Sequence, residues 1–331
     1  MAQVKGLTLG QLGEFGLIQR AERIFGRPDR PGLVQGIGDD AAVVKIGHNK
    51  ALIYTTDMLI EDVHFSLKYE GFSDIGWKAL AVNISDIASM GATPTWGLIS
   101  VGVPVGIPVD NVDKLAQGVA SLAHKYHVGI IGGDTVKSPD RLVVNIALLG
   151  EATAKDILFR HGASPGDALF VTNRVGEAAA GLEILRDSRP VTRDSRLLIK
   201  RYLRPEPRVK ESRLIVQHRL ASSMIDISDG LHISVKLLCA QSKVGARVYL
   251  DKIPLNSQLA TRNPQQALQW ALSGGEDYEL LFTVPKNKIR KALALFPYGW
   301  IGEITKDNSV KVLSPTGREV KVRKTGYEHF K

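Results

Sequence analysis

One cysteine, Cys239, in 331 residues excludes a disulfide framework and a cysteine-built zinc site. It stands beside Val235, Leu237 and Leu238, an apolar helical setting that predicts a buried, unreactive thiol. Cysteine scarcity also fits a reducing compartment, which sets the expectation of a cytoplasmic protein. Aromatic residues make up 6% of the chain, and none interleaves with the basic run Arg186 to Arg219. Acids are scattered through that run, and Pro205 and Pro207 interrupt it, so it reads as a solvated helical surface with no nucleic-acid partner. Residues 1–10 lack the apolar core of a secretory signal. The uncharged stretch Ile87 to Val109 is broken by Pro94, Pro104 and Pro108 and by four glycines, which argues against a membrane span. Also missing are the Walker A loop, the kinase glycine loop with its H-R-D partner, H-E-x-x-H and G-x-S-x-G. Common nucleotide and hydrolase scaffolds are thereby excluded, while nucleotide binding itself stays open.

What is present is an ordinary globular composition, 44% hydrophobic and 23% charged, with a formal net charge of +9 that suits anionic ligands. Apolar periodicity predicts helices over 12–24, 73–90 (capped by Ser73), 109–127, 176–186, 229–240 (capped by Ser228) and 286–294. Strands are expected at 42–46, 51–55, 96–103, 128–131, 141–150, 168–172, 221–226, 245–250, 278–284, 300–304 and 310–313. Helices and strands interleave throughout, so the fold class is α/β or α+β, with domains over 1–150 and 151–331.

The chemistry is concentrated in acidic turns at strand ends. Thr55-Thr56-Asp57 follows the apolar run Ala51 to Tyr54, and Asp62 and His64 come shortly after. Further along the chain stand Asp39 and Asp40, Asp86, Asp134, Asp226 with Asp229, and Glu276 with Asp277. One such turn is ordinarily a cap or turn residue. Repetition changes the reading, because clustered carboxylates repel one another unless a cation lies among them. Magnesium, a hard ion that takes carboxylate, water and phosphate oxygens, is the natural occupant, and phosphoryl transfer the matching chemistry. Gly36-x-Gly38-x-x-Ala41 loosely fits a dinucleotide loop, but two acids sit where a pyrophosphate needs bare N–H groups. His64, placed after Asp57 and Asp62, is a plausible phosphate donor.

Six blocks in order resemble the thiamine-monophosphate kinase family, of the aminoimidazole-ribonucleotide synthetase and selenophosphate synthetase superfamily. They are Ile37 to Ala42, Thr55 to Phe65, Asn83 to Ala92, Gly132 to Thr135, Asp226 to Leu231 and Gly274 to Leu280. The resemblance spans about Gly13 to Phe330. It implies transfer of the γ-phosphoryl of ATP to thiamine monophosphate by direct in-line attack, with several magnesium ions bridging the two anions and no covalent nucleophile. It implies metal ligation by Asp39, Thr55, Thr56, Asp57, Asp86, Asp134, Asp226 and Asp229. ATP would meet Gly133, Asp134, Arg160 and Ser228, and thiamine monophosphate would meet His64, Glu276 and Tyr327. It further implies a homodimer in which the N-terminal domains, binding ATP and magnesium, form a shared β-barrel and the C-terminal domains complete the sites. The small-residue helix ending at Met90 suits close packing at that junction.

Two positions depart from the family: Asp62 stands where glycine is common, and Ser234 where an acid is common. A selenophosphate synthetase is disfavoured because Cys239, the sole cysteine, is far from the N-terminus. An amide-activating synthetase would lack the Asp57 to His64 block as it stands here.

Overall fold

A computed structural model describes residues 7–26, 28, 30–187, 192–324 and 326–330. Residues 188–191 of the basic run lie outside the described residues. In chain order the first half comprises α1 (Leu9–Phe25), β1 (Leu33–Gln35), β2 (Ala42–Lys45), β3 (Lys50–Ile60), α2 (Phe72–Ser89), β4 (Thr93–Pro104), α3 (Val109–Tyr126), β5 (Gly129–Ser138) and β6 (Val143–Thr153). The second half comprises β7 (Ala168–Val171), α4 (Glu177–Arg186), α5 (Arg193–Leu203), α6 (Val209–Gln217), β8 (Ser223–Asp226), α7 (Leu231–Ser242), β9 (Gly245–Tyr249), α8 (Ser257–Arg262), α9 (Pro264–Ser273), β10 (Leu280–Val284), α10 (Ile289–Leu295), β11 (Trp300–Thr305) and β12 (Val310–Leu313).

Two six-stranded sheets result. The first has the order β1-β2-β3-β6-β4-β5 and the second β12-β9-β11-β7-β10-β8. The first is open, with β1 and β5 at its edges, and no closed barrel forms among the described residues. Its spine is β3 against β6, antiparallel and in register from Lys50↔Thr153 to Ile60↔Val143. β4 and β5 run parallel, joined through α3, as parallel neighbours require.

The sheets differ in how they are covered. In the second, alternate residues of β7 enter opposite cores: Leu169 and Val171 one, Ala168 and Phe170 the other. In the first sheet, the inward residues Ala51, Ile53, Leu59, Val144, Ile146 and Leu148 pack under α2 and α3. The outward residues Tyr54, Met58, Trp96, Leu98 and Ile131 are exposed, each between 43% and 63%.

α2 is buried almost all round, with Ile75, Leu80, Ile84 and Ile87 wholly inaccessible. Burying side chains of this size contributes about 1.5–3 kcal/mol each. Its small residues serve packing within the chain. A Cβ on Gly76 would lie 2.0 Å from the Leu115 carbonyl oxygen, and one on Gly118 2.0 Å from that of Ser73, so α2 and α3 meet backbone to backbone. Two expected caps are corrected. Gly71 and not Ser73 caps α2, and Gly230 and not Ser228 caps α7, neither with a side-chain bond. The strand expected to end at Thr55 runs on to Ile60, because inward and outward residues keep alternating through the polar positions. The short buried strand expected at 128–131 is instead a long, mostly exposed edge strand, β5. None of the helices among the described residues is long and apolar enough to cross a membrane.

Candidate active site

A cavity of about 900 Å³ lies between the two sheets, bordered by α1, β3, α2, the β8–α7 turn and the C-terminal segment. Alternation along β3 sends Thr55 and Asp57 towards α2, which presents Asp86 and Asn83 on one face. Thr55 Oγ1 donates to Asp86 Oδ2 at 2.5 Å, and the Asp57 backbone N–H donates to Asn83 Oδ1 at 3.1 Å. β8 delivers Asp226 at its last residue, where Ser85 Oγ of α2 donates to Asp226 Oδ2 at 2.6 Å. The loop before β2 brings Asp39 and Asp40 to Arg160. Arg160 donates from its backbone N–H to Asp39 Oδ2 at 3.1 Å and from Nε to Asp40 Oδ1 at 2.9 Å.

Asp40, Asp86 and Asp226 each offer an oxygen within 4.8 Å of the others. Water is largely shut out, so charge there is costly. Burial, then the neighbouring charges of Asp57, Asp226 and Asp40, push Asp86 well above the usual carboxylate range. Burial and Asp40 do the same to Asp226, and burial raises Asp57. Asp39 is pushed up to about 7 by burial and Asp40. Asp229 also rises to about 7, by burial and then Glu14, Glu276 and Asp57. Burial works against the Arg160 charge, yet Asp40 and Asp39 hold its proton more firmly than usual. The donors are all hard oxygens, and Asp40 Oδ2 is buried without a hydrogen-bond partner. This set fits magnesium, which takes carboxylates and waters and favours no nitrogen or sulfur here.

His64 follows β3 in a tight turn, where the Ile60 N–H donates to its Nδ1 at 3.0 Å. Nδ1 is therefore an acceptor, which leaves Nε2 carrying the proton. Burial, then His329, lowers the His64 pKa, so the ring is neutral at physiological pH. Its ring centroid lies 5.2 Å from that of His329, and His329 lies 5.0 Å from Tyr327. The Tyr327 N–H donates to the Asp229 carbonyl at 3.0 Å, which ties this aromatic group to the acidic turn.

Of the residues expected at the site, Asp39, Thr55, Thr56, Asp57, Asp86, Asp226, Asp229, Arg160, Ser228, His64, Glu276 and Tyr327 border this cavity. The Thr56 hydroxyl donates to Asn145 Oδ1 at 3.1 Å, so its side chain is committed to the neighbouring strand β6. Gly133 and Asp134 do not border the cavity; they lie on the exposed strand β5. Gly133 is required there by β4, since a Cβ would fall 1.6 Å from the Ile99 carbonyl oxygen. Asp40 was foreseen as one of the acids but not as a ligand; its adjacency to Asp39 left the choice between them open to sequence reasoning. The departures are explained too. Asp62 has a φ of 62°, a left-handed backbone that glycine adopts freely and aspartate tolerates, and it pairs with Arg141. Ser234 is buried in α7 and donates to the Asp226 carbonyl at 3.1 Å, bracing the turn that carries Ser228 and Asp229.

Comparison with known proteins agrees with this geometry. Residues 38–152 match the N-terminal domain of AIR synthase related proteins, and residues 164–314 the C-terminal domain. The chain is 38% identical to the thiamine-monophosphate kinase of Escherichia coli (strain K12) over 329 residues, 96% of this chain and 98% of that one. It is also 38% identical to that of Bacillus subtilis (strain 168) over 305 residues, 89% and 93% of the two chains. Among solved structures, AaThiL complexed with AMPPCP and TMP superposes with a TM-score of 0.86 at 32% identity, covering 98% of this chain and 99% of that one. Both domain matches and near full-length identity with these kinases lead to one conclusion: the chain belongs to the thiamine-monophosphate kinase family of AIR synthase related proteins.

Proposed function

We propose that this chain transfers the γ-phosphoryl group of ATP to thiamine monophosphate, giving thiamine diphosphate and ADP in thiamine diphosphate biosynthesis. The observation that carries this reading is the convergence of Asp40, Asp86 and Asp226 within 4.8 Å, in one cavity with His64 and Glu276. The relatives' name and the AMPPCP and TMP of the superposed structure support it.

The reaction is a direct displacement. A phosphate oxygen of thiamine monophosphate attacks the γ-phosphorus, the bond from that phosphorus to the β–γ bridging oxygen breaks, and the electron pair leaves with ADP. A phosphate monoester has a second pKa of about 6, so the attacking oxygen is already ionised at neutral pH. No general base is needed, which is consistent with a site whose His64 ring is neutral and already accepts the Ile60 N–H at Nδ1. The Nε2–H of His64 donates to the acceptor phosphate, and Glu276 and Tyr327 meet the remainder of that substrate. Arg160, Ser228 and Gly133 meet ATP. Asp40, Asp86 and Asp226, with Asp39, Thr55, Thr56, Asp57, Asp134 and Asp229 around them, would hold magnesium. Bound magnesium would neutralise the charge carried by the two phosphate chains.

A homodimer completes this reading. The outward face of the first sheet carries Tyr54, Met58, Trp96, Leu98 and Ile131, and β5 offers an unpaired edge. A second copy on that face would cover apolar surface and extend the sheet towards a shared barrel. Gly133 and Asp134 lie on the same edge strand, so their part in binding ATP and metal belongs to the assembly. Residues 1–150 would supply the dimer face and most of the ligands for ATP and metal, and residues 151–331 would complete the site with Arg160, Asp226, Ser228 and Asp229.

The test is incubation with ATP, magnesium and thiamine monophosphate, with chromatography for thiamine diphosphate. Turnover requires magnesium, and Asp57→Asn lowers kcat/KM by about a thousandfold, the scale of losing one preorganised charge at a transferring phosphoryl group. ATP binding with no thiamine diphosphate formed would sink the proposal.

A further inference from the structure

The six blocks that carry the family resemblance do not include Lys78, yet its side chain is wholly inaccessible. A lysine that deep in a helix requires partners. Its ammonium lies 3.1 Å from Glu70 Oε2 and 2.9 Å from Glu276 Oε2, and 3.5 Å from the centre of the Tyr202 ring. The Glu276 contact is an ion pair without an aligned hydrogen bond, for Glu276 Oε2 is buried and has no hydrogen-bond partner. Glu70, equally inaccessible, is engaged on its other oxygen. Oε1 accepts the Tyr202 hydroxyl at 2.9 Å and the Ser66 backbone N–H at 3.0 Å.

Two carboxylates thus share one ammonium, and each is attached to a different wall of the cavity. Glu70 grips Ser66, two residues beyond His64. Glu276 sits on the opposite wall in a left-handed backbone with φ 69°, its N–H held by the Ser228 carbonyl at 2.6 Å. A glutamate in that conformation is strained, and it persists only where its surroundings impose it. With Oε2 turned inwards to Lys78, the remaining part of the carboxyl group is what the cavity meets; the side chain is 24% exposed. One negative charge is left over beside a cavity whose acceptor substrate carries a cationic thiazolium ring. Coulomb attraction through a partly buried wall favours that partner.

We propose that Lys78 is a positioning residue for the acceptor substrate: through Glu276 on one wall and Glu70–Ser66 on the other, it sets the spacing of the two elements that meet thiamine monophosphate. This rests on the kinase reading above. It stops short of the ATP side: Arg160, Asp39 and Asp40 form no hydrogen bond or ion pair with Lys78 or Glu70, and Ser228 touches Glu276 only through its backbone carbonyl, which leaves the Ser228 side chain outside the network.

Steady-state kinetics of the full-length protein test it. Lys78→Met raises the KM for thiamine monophosphate by about tenfold, the scale of one lost charge-assisted contact, and moves the KM for ATP less than about twofold. Tyr202→Phe keeps the ring over the ammonium and removes only the hydroxyl on Glu70; it raises the same KM by about threefold. On a Glu276→Gln background, Lys78→Met adds less than about twofold, since both changes break one pair. An equal rise in both KM values, a loss confined to kcat, or full additivity overturns the proposal. If Lys78→Met fails to fold, Tyr202→Phe decides alone, and an unchanged KM for thiamine monophosphate overturns it. Wild-type protein that makes no thiamine diphosphate overturns the kinase reading instead.

Discussion

α2 separates two buried charge clusters that solve the same problem differently. Towards its C-terminal half, Asp86 meets Asp40, Asp57 and Asp226, and Arg160 is the cation bonded to that group. Towards its N-terminal half, Lys78 lies between Glu70 and Glu276 with the aromatic face of Tyr202 beside it. The second cluster carries its own cation: Lys78 balances the buried Glu70, and Glu276 alone is left with charge facing the cavity. The first has an excess of carboxylates, whose raised pKa values record the cost of holding them together. A fold retains such an excess where something from outside supplies the missing positive charge. The contrast distinguishes a structural ion pair from a ligand site without reference to which acids are most buried.

The largest effect expected is on the balanced side. Lys78→Met leaves Glu70 buried without its ammonium and lowers unfolding free energy by about 3–5 kcal/mol in urea titrations. Glu70→Gln with Lys78→Met recovers part of that loss; a double variant no more stable than Lys78→Met would break the comparison. Magnesium provides the next effect. At a hundredfold excess over its dissociation constant it adds about 2.7 kcal/mol to wild-type stability, read as a higher Tm that chelation reverses. In Asp226→Asn that gain shrinks, while the metal-free variant is more stable than metal-free wild type by about 1 kcal/mol, because a repulsion has been removed. A metal-free Asp226→Asn less stable than wild type would contradict this account of the cluster.

A lone buried acid sharpens the comparison further. Among the described residues no cation pairs with Asp277; its carboxyl group accepts the Gly176 and Ala178 N–H groups at the start of α4, and burial pushes it up to about 8. The folded chain therefore binds a proton there that the unfolded chain, at about 4, has released. Its stabilising contribution is full below about pH 4 and is lost as pH rises through about 8. Asp277→Asn lessens the fall in stability between about pH 4 and 8 in thermal melts, leaving the share of the other raised carboxyl groups; an unchanged slope would refute the assignment. The smallest effect comes from His232, buried and held down to about 4. Its folded form binds fewer protons than the unfolded one, so stability is lost as pH falls from about 6.5 through about 4, and His232→Gln removes that acid limb.

The two clusters were unequally legible in the sequence. Acids recurring at strand ends announced the first, because an Asp that follows an apolar run is a local feature that a linear reading registers. Which of Asp39 and Asp40 joins the cluster did not follow: both reach Arg160, 120 residues beyond Asp40, Asp39 at the Arg160 backbone N–H and Asp40 at the guanidinium, and of the two only Asp40 comes within 4.8 Å of Asp86 and Asp226. β3 outruns its expected end at Thr55 because the apolar run marks only its first half, whereas alternation continues through Thr55, Asp57 and Leu59 facing α2. Lys78 left no local trace at all. In a helix, a lysine next to Trp77 reads as solvated, and only the arrival of Tyr202 and Glu276 from the second half makes it interior. For the same reason β5 looked like a buried strand: its apolar start, Val128 to Ile131, gives no sign that the following residues lie on an open edge.

The bond from Ser85 to Asp226 joins residues 141 positions apart. During synthesis, Asp40, Asp57 and Asp86 leave the ribosome long before Asp226 does, and Arg160 emerges between them. The nascent first half therefore gathers acids without the last carboxylate of the set, and the cation cage closes only after β8 has been made and docked on α2. On the proposed function, metal capture would thereby be deferred to a late stage of folding, and a truncated chain would carry most of the carboxylates and none of the finished site.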